Sequence, residues 1–514
     1  SICFSRVPGP ESRVPILHMN ISTLLDMAAE AFGDRVALVS GDARYTYAQL
    51  RDAAWRAAWM LKDSGASHVA LLDVSSPAAP IAIFAAAYAG LPYVPLNYRL
   101  TKPEINELIA RVAPAVLVAG REYLSLIEPR DGIRVLERGE FLALPASGEG
   151  APPLDEDPRA VAVQLFTSGT TGKPKAAILR HENLMSYIVG TVEFGAAGED
   201  DAVLVTVPPY HIAGISSVLS STYACRRVVQ LENFEPQAWI DACRRENVSN
   251  AFLVPTMLGR IVDALGDTAP NLPSLRAIAY GGGKMPLSTI ARAMQLFPRA
   301  DFTNAYGLTE TSSTIAVLGP DDHRAAAASS DPKVRKRLAS VGKATGAVEI
   351  AVRDEDGRAL PPNQPGLVFV RGGQVSGEYL SLGSQLDADG WFSTRDRGWL
   401  DEDGFLFLDG RADDVIVRGG ENISPGEIED VLLGHPAVAD VAVVAIPDEQ
   451  WGEGVAAAIV LKPSARASAV ELQEFVKARL RSSRVPQAIV FRDALPYNEL
   501  GKVLRRVVRA ELGS

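Results

Sequence analysis

The stretch FTSGTTGKPKAA, Phe166 to Ala177, gathers four hydroxyl side chains, two glycines and two lysines within one loop. Consecutive backbone N–H groups together with the hydroxyls of Thr167, Ser168, Thr170 and Thr171 can line a concave anion site. Lys173 and Lys175 add positive charge. Gly169 and Gly172 let the backbone approach an anion with no Cβ in the way. A phosphate group is the natural guest. The spacing differs from the Gly-x4-Gly-Lys-Ser/Thr phosphate loop, because the two glycines lie too close and Pro174 follows the lysine. A solvated surface loop can have the same composition, so the loop alone leaves both readings open.

The loop lies between an apolar run and what reads as a helix. Short apolar runs alternate with helical patterns along most of the chain: VALLDV (Val69 to Val74), AVLVAG, AVLVTVP and SNAFLVP (Ser249 to Pro255) read as buried strands. The small-residue segment AAPIAIFAAAYAG reads as a helix closed by Gly90, and FEPQAWIDACRREN as another helix. This alternation predicts an α/β fold of parallel-rich sheets covered on both faces. After about residue 340, VEIAVRDEDG, GLVFVRGG, GFLFLDG and DDVIVRGG read as strands between Gly and Asp turns, a β-rich subdomain. The last hundred or so residues alternate again and form a small α+β domain with its own core. The expected division is 19–410 and 411–514, joined through LDGRADDV (Leu408 to Val415). Residues 1–18 stand outside this reading.

At 514 residues the chain has room for two to four domains or subdomains. Its net charge of −11 argues against a nucleic-acid surface. The three cysteines, Cys3, Cys225 and Cys243, are far apart and odd in number, so neither a disulfide framework nor a zinc pattern follows. A reducing, cytoplasmic setting fits. No apolar run reaches the roughly 18 residues of a membrane span; the nearest, Ile81 to Leu96, is interrupted by Gly and Pro. The N-terminus lacks the order of a signal peptide.

The Thr167–Lys175 loop resembles the phosphate-binding signature of the adenylate-forming family, which contains acyl-CoA synthetases, peptide-synthetase adenylation domains and luciferases. Further segments resemble that family's motifs in order: NAYGLTET (Asn304 to Thr311), the block from Ser393 to Glu429, and PYNELGKVLRR (Pro496 to Arg506). RGGENI and DEQWGEG (Asp448 to Gly454) look most like the acyl- and aryl-CoA ligases. The resemblance implies ATP-dependent activation of a carboxylic acid to an acyl-adenylate, then transfer to the thiol of CoA, with Mg2+ accompanying ATP.

It also implies roles. Thr167, Ser168, Gly169, Thr170, Thr171, Gly172 and Lys175 would hold the β- and γ-phosphates. Thr309 would bond the α-phosphate, and Glu310 would bind magnesium, a hard cation that prefers oxygen ligands. Tyr306, Gly281 and Gly282 would border adenine. Asp396 and Arg411 would hold the ribose hydroxyls, which a carboxylate can accept. Lys502, on the mobile small domain, would bridge the substrate carboxylate and the α-phosphate. That domain would rotate about Asp413 and present Gly419 and Gly420 to pantetheine and Trp451 to the CoA nucleotide. His211, Gly214, Ser216 and Ser217 would border the acyl pocket. The small serines of that segment suggest room for a bulky cyclic or aryl acid; the plainer alternative is a helix packed closely on its neighbours. Without their context, Glu310 reads as a surface acid, Asp396–Arg411 as a surface ion pair, Lys502 as a solvated lysine and Trp451 as a core or interface aromatic.

Several positions depart from the family pattern. Ala176 follows Lys175 where glycine is usual. Arg395 occupies the glycine place of the ribose block. Ile416-Val417 replaces Ile-Lys, Lys284 stands where proline or a small residue is usual, and SSRVPQ (Ser482 to Gln487) is poor in lysine and aromatics. Most ATP-side residues are intact and several departures fall on the CoA side. The alternative is therefore an enzyme strong in adenylation that passes acyl-AMP to a carrier protein or partner ligase.

Overall fold

The computed structural model describes residues 19–145, 150–154, 157–167, 174–346, 348–497 and 503–513. Ser168, Gly169, Thr170, Thr171, Gly172 and Lys502 lie outside the described residues. The chain divides into two compact units: Ser1–Ala339 with Lys343–Glu349 and Val370–Phe392, and Ser340–Gly342 with Ile350–Phe369 and Ser393–Ser514. Part of the β-rich stretch after residue 340 thus clusters with the C-terminal residues.

The first unit holds two sheets of eight and nine strands. In the eight-stranded sheet, Val161–Thr167, Tyr93–Pro95, His68–Leu72, Ala115–Ala119 and Ile133–Glu137 run parallel. Parallel strands are covered on both faces, so they read as unbroken apolar runs; Val69 to Leu72 and Ala115 to Ala119 are indeed wholly buried. The helix Ala78–Ala89 is buried on every side, which explains its lack of a polar stripe. It ends at Gly90, whose φ of 73° satisfies the left-handed cap. Tyr47–Lys62 begins with a capping box between Thr46 and Gln49. The nine-stranded sheet places Ala277–Gly281 beside Asp301–Leu308, in parallel, followed by the antiparallel return Ser313–Leu318.

One expectation is corrected here. The segment after the Ser/Thr/Gly loop is a strand, Lys175–Arg180, antiparallel to Val161–Thr167; the helix His181–Thr191 starts only after it. The strands on either side of the loop therefore form a hairpin, and no helix starts directly after it among the described residues.

The second unit carries most of a four-stranded sheet in the order Glu349–Arg353, Gly366–Arg371, Phe392–Leu400, Leu406–Arg411, of which Glu349, Val370, Arg371 and Phe392 fall in the first unit. A five-stranded sheet follows, built on the long hairpin Val438–Asp448 and Gly452–Leu461. Its alternate residues serve two cores. Val441, Val443 and Ala445 face Ile428, Leu432, Leu472 and Val476, whereas Ala442 and Val444 face Leu495 and Val508. This period-two sorting to two covered faces explains the continuous run VAVVA. It also seats the C-terminal helix Arg505–Leu512 on one face.

Candidate active site

Two elements of the first unit bring its candidate residues together. The hairpin strands meet at Thr167 and Lys175, which are direct partners, and the Thr167 hydroxyl donates to the Lys175 carbonyl at 3.4 Å. Arg111 braces the base of the loop: its guanidinium lies 4.7 Å over the Phe166 ring and donates to the Pro174 carbonyl at 2.8 Å. Nothing in the sequence marks Arg111, because its partner Pro174 lies 63 residues further along the chain.

The second element is the turn Thr309–Thr311 between the strands Asp301–Leu308 and Ser313–Leu318. It is knotted by Thr311: the Leu308 N–H donates to its hydroxyl at 3.0 Å, and the hydroxyl donates to the Ser313 carbonyl at 2.8 Å. The chain then passes through Ser312 and Ser313 at φ 55° and 110°. Such conformations cost energy for residues with a Cβ and concentrate at functional sites. Glu310 is buried, and the Tyr379 hydroxyl donates to its Oε1 at 2.6 Å. Tyr306 and Thr309 are half-buried beside it in sequence. Gly281 ends the neighbouring strand, where a Cβ would run into the Ala305 carbonyl; its packing alone requires glycine. Gly282 follows.

The acyl-side candidates surround the start of the helix Ile212–Tyr223, with His211 as its N-cap residue and Gly214 in the first turn. The His211 ring lies 4.4 Å from Tyr210, whose ring meets Tyr98 edge-on at 5.3 Å. Ser217 donates back to the Ala213 carbonyl at 2.6 Å, a common arrangement for helical serine. Ser216 is buried and bonded at 3.1 Å to the hydroxyl of Ser313, so this helix touches the chain just past Glu310.

In the second unit Asp396 and Arg411 are direct cross-strand partners, 3.3 Å apart between Oδ1 and Nε. Arg395 has φ 61°, so the glycine-type conformation persists although the glycine does not. A left-handed conformation costs an L-residue roughly 1–2 kcal/mol. Arg395→Gly relieves that cost but also frees the unfolded chain, which takes back roughly 0.4–1 kcal/mol, so it is expected to raise the melting temperature by a few degrees at most. An unchanged or lower melting temperature would mean that the glycine's unfolded-state freedom, with any contacts of the Arg395 side chain, offsets the strain.

Asp413 lies in the turn Ala412–Asp414 that leads out of the four-stranded sheet. Its neighbour Asp414 has a carboxyl raised above the ordinary range by burial, with Arg505 4.0 Å away opposing the shift. Arg505 grips Glu429 through two bonds of 2.5 and 2.7 Å, and Glu429 also accepts the Val443 N–H at 2.8 Å. The C-terminal helix is thereby tied to the turn and to the sheet.

Gly419 and Gly420 are the two central residues of a hairpin turn between the partners Arg418 and Glu421, at φ 58° and 82°. A two-residue turn of that type needs positive φ at both places. The Gly419 N–H donates to the Trp451 carbonyl at 2.8 Å, and the Trp451 ring, 46% exposed, covers the face of Gly419. The segment Ser482–Gln487 is pinned beside this turn: Arg418 donates to the Ser483 carbonyl and Arg484 pairs with Glu421 and Glu427. The Tyr497 hydroxyl donates to Asp440 at 2.5 Å, and Tyr497 forms a backbone bridge with Val503.

Among the described residues no three His, Cys, Asp or Glu side chains cluster as a metal site. Magnesium is often held by one or two carboxylates with substrate phosphates supplying further oxygens. A single buried carboxylate such as Glu310 fits that pattern. No helix of the described residues is long and apolar enough to cross a membrane.

The AMP-binding enzyme family model matches residues 25–380, and the model of the AMP-binding enzyme C-terminal domain matches residues 427–502. An indoleacetate–CoA ligase of Aromatoleum aromaticum is 31% identical, covering 96% of this chain and 98% of its own. The fatty acid–[acyl-carrier-protein] ligase ScoC of Streptomyces coeruleorubidus is 32% identical over 90% and 91%. The o-succinylbenzoate CoA synthetase of Bacillus subtilis, solved with its acyl-adenylate intermediate, superposes with a TM-score of 0.81 at 29% identity, covering 95% and 97%. The chain belongs to the AMP-binding enzyme family, in the acyl- and aryl-CoA ligase branch of the adenylate-forming superfamily.

Proposed function

We propose that this protein is an AMP-forming acid–thiol ligase that activates a carboxylic acid with ATP and transfers the acyl group to CoA. The observation that carries the reading is the buried Glu310 carboxylate, tied through Tyr379 to the Lys175 hairpin. In the first step a carboxylate oxygen bonds to the α-phosphorus and the bond to pyrophosphate breaks. Two anions meet, so aimed N–H groups and cations are the main catalytic resource. The loop Thr167 to Lys175 binds the β- and γ-phosphates, Thr309 the α-phosphate, and Glu310 is the protein ligand of magnesium. Magnesium supplies charge neutralisation on the phosphates. Tyr306, Gly281 and Gly282 border adenine, Asp396 and Arg411 take the ribose, and Lys502 bridges the reacting anions. In the second step the CoA sulfur bonds to the acyl carbon, AMP leaves, and the thiol proton passes to solvent. Gly419, Gly420 and Trp451 serve that step after the domain 411–514 has turned about Asp413 relative to 19–410. A cytoplasmic location belongs to the same proposal.

His211, Gly214, Ser216 and Ser217 border the acyl group, and the substrate class is a bulky cyclic or aryl acid. The names of the indoleacetate and o-succinylbenzoate relatives favour this class. Mass spectrometry of reactions with ATP, magnesium, CoA and a panel of fatty, aryl and polycyclic acids tests it. Aryl acyl-CoA as the main product supports the reading. Ser217→Trp is then expected to exclude the larger acids while sparing small ones; equal loss at every size counts against the pocket assignment. The name of the ScoC relative favours a second reading, delivery to a carrier-protein thiol, for which acyl-AMP accumulation without thioester would be the sign.

A further inference from the structure

The segment Gly372 to Tyr379 has no chemical signature in the sequence, yet it laces the two elements of the adenylation site together. The N–H groups of Ser376 and Gly377 both donate to the Glu310 carbonyl, at 2.9 and 3.0 Å. Gln374 is fully buried, and its amide donates to the carbonyls of Thr311 and Thr314 at 3.0 and 2.8 Å. The same segment then pairs as a strand with the hairpin, Glu378 opposite Ile178 and Tyr379 opposite Ala177. The Ser376 hydroxyl donates to the Ile178 carbonyl, and Glu378 grips Arg180 through bonds of 2.8 and 2.9 Å. Tyr379 ends the strap with contacts to both elements. Its hydroxyl holds Glu310 Oε1 at 2.6 Å, and the Lys175 ammonium stands 5.6 Å from the centre of its ring.

From this we infer that Tyr379 is a positioning residue for adenylation: it fixes the carboxylate of Glu310 for magnesium and seats Lys175 beside it. The inference rests on the role proposed for Glu310. A carboxylate that binds a metal is commonly oriented by a hydrogen bond to one oxygen, and loss of such a bond typically costs 10- to 100-fold in metal affinity or activity. The ring adds a cation–π contact that biases the ammonium toward the same side of the site. Main-chain bonds from Ser376 and Gly377 hold the Glu310 backbone, so removal of the Tyr379 hydroxyl leaves the turn in place and frees only the carboxylate.

The test measures pyrophosphate release against magnesium concentration for Tyr379→Phe and Glu310→Gln. A second assay follows thioester formation from supplied acyl-AMP and CoA, which needs no magnesium–ATP. Tyr379→Phe is expected to raise the magnesium concentration for half-maximal adenylation about tenfold. Thioester formation should stay near the unsubstituted level, which a merely destabilised fold could not do. Unchanged magnesium dependence in Tyr379→Phe, with a clear shift in Glu310→Gln, overturns the role of Tyr379 and leaves that of Glu310 standing. No shift in either variant overturns both. Equal loss in the two assays reduces Tyr379 to a structural residue and also overturns the inference.

Discussion

Lys502→Ala is expected to lower acyl-adenylate formation by about 10²–10³-fold, the usual cost of losing one aimed charge-stabilising donor. Attack of CoA on supplied acyl-AMP should largely survive. The asymmetry follows from the charges. In the first step a carboxylate approaches a phosphate, and a cation between them offsets the repulsion as the new bond forms. In the second, the acyl-adenylate already exists and the nucleophile is a thiol. The described residues on either side of Lys502 are anchored. Tyr497 bonds to Asp440, and Arg505 is held by Glu429, with burial raising the carboxyl of Asp440 above the ordinary range. Those anchors remain in the alanine variant, so the substitution removes the charge without releasing the C-terminal helix. Pyrophosphate release reads the first step and mass spectrometry of the thioester the second. If neither changes, Lys502 is not the bridging lysine.

Much of the architecture is legible in the chain because local pattern and global fold agree. The unbroken runs at Val69 to Leu72 and Ala115 to Ala119 announce strands covered on both faces, and Gly90 announces the end of its helix. The exception is Lys175–Arg180. Its residues KAAILR read as readily helical, since Ala, Leu, Lys and Arg are good helix formers. The partner strand Val161–Thr167 is reached only by closing the loop, and that pairing overrides propensity. The positioning shell was illegible for a related reason. Tyr379 lies 69 residues from Glu310, and Arg505 lies 76 from Glu429. No periodicity links such pairs; only the fold juxtaposes them. Arg395 is the reverse case. Its departure from the family pattern stands out in the sequence, whereas its positive φ is visible only in the backbone.

Gly419→Val is expected to do the opposite of Lys502→Ala: adenylation persists while thioester formation falls about 100-fold, the scale of an ångström-sized misplacement of reacting groups. A Cβ at Gly419 would stand 2.7 Å from Cε3 of Trp451, so the ring must swing away. Branched carbons would then occupy the face proposed for the pantetheine arm. The substitution also forces a β-branched residue to φ 58°, an added strain. Gly420→Ala separates the two effects. It meets nothing within 4 Å yet sits at φ 82°, so it carries backbone strain without displacing the indole. Thioester formation near the unsubstituted level in Gly420→Ala, with strong loss in Gly419→Val, would assign the loss to obstruction at the Trp451 face. Equal loss in both would assign it to distortion of the turn. Loss of adenylation together with the thioester step in Gly419→Val would count against a function confined to the second half-reaction. Supplying acyl-AMP with CoA reads the thioester step in each variant, and pyrophosphate release reads adenylation, with Lys502→Ala as the control of opposite pattern.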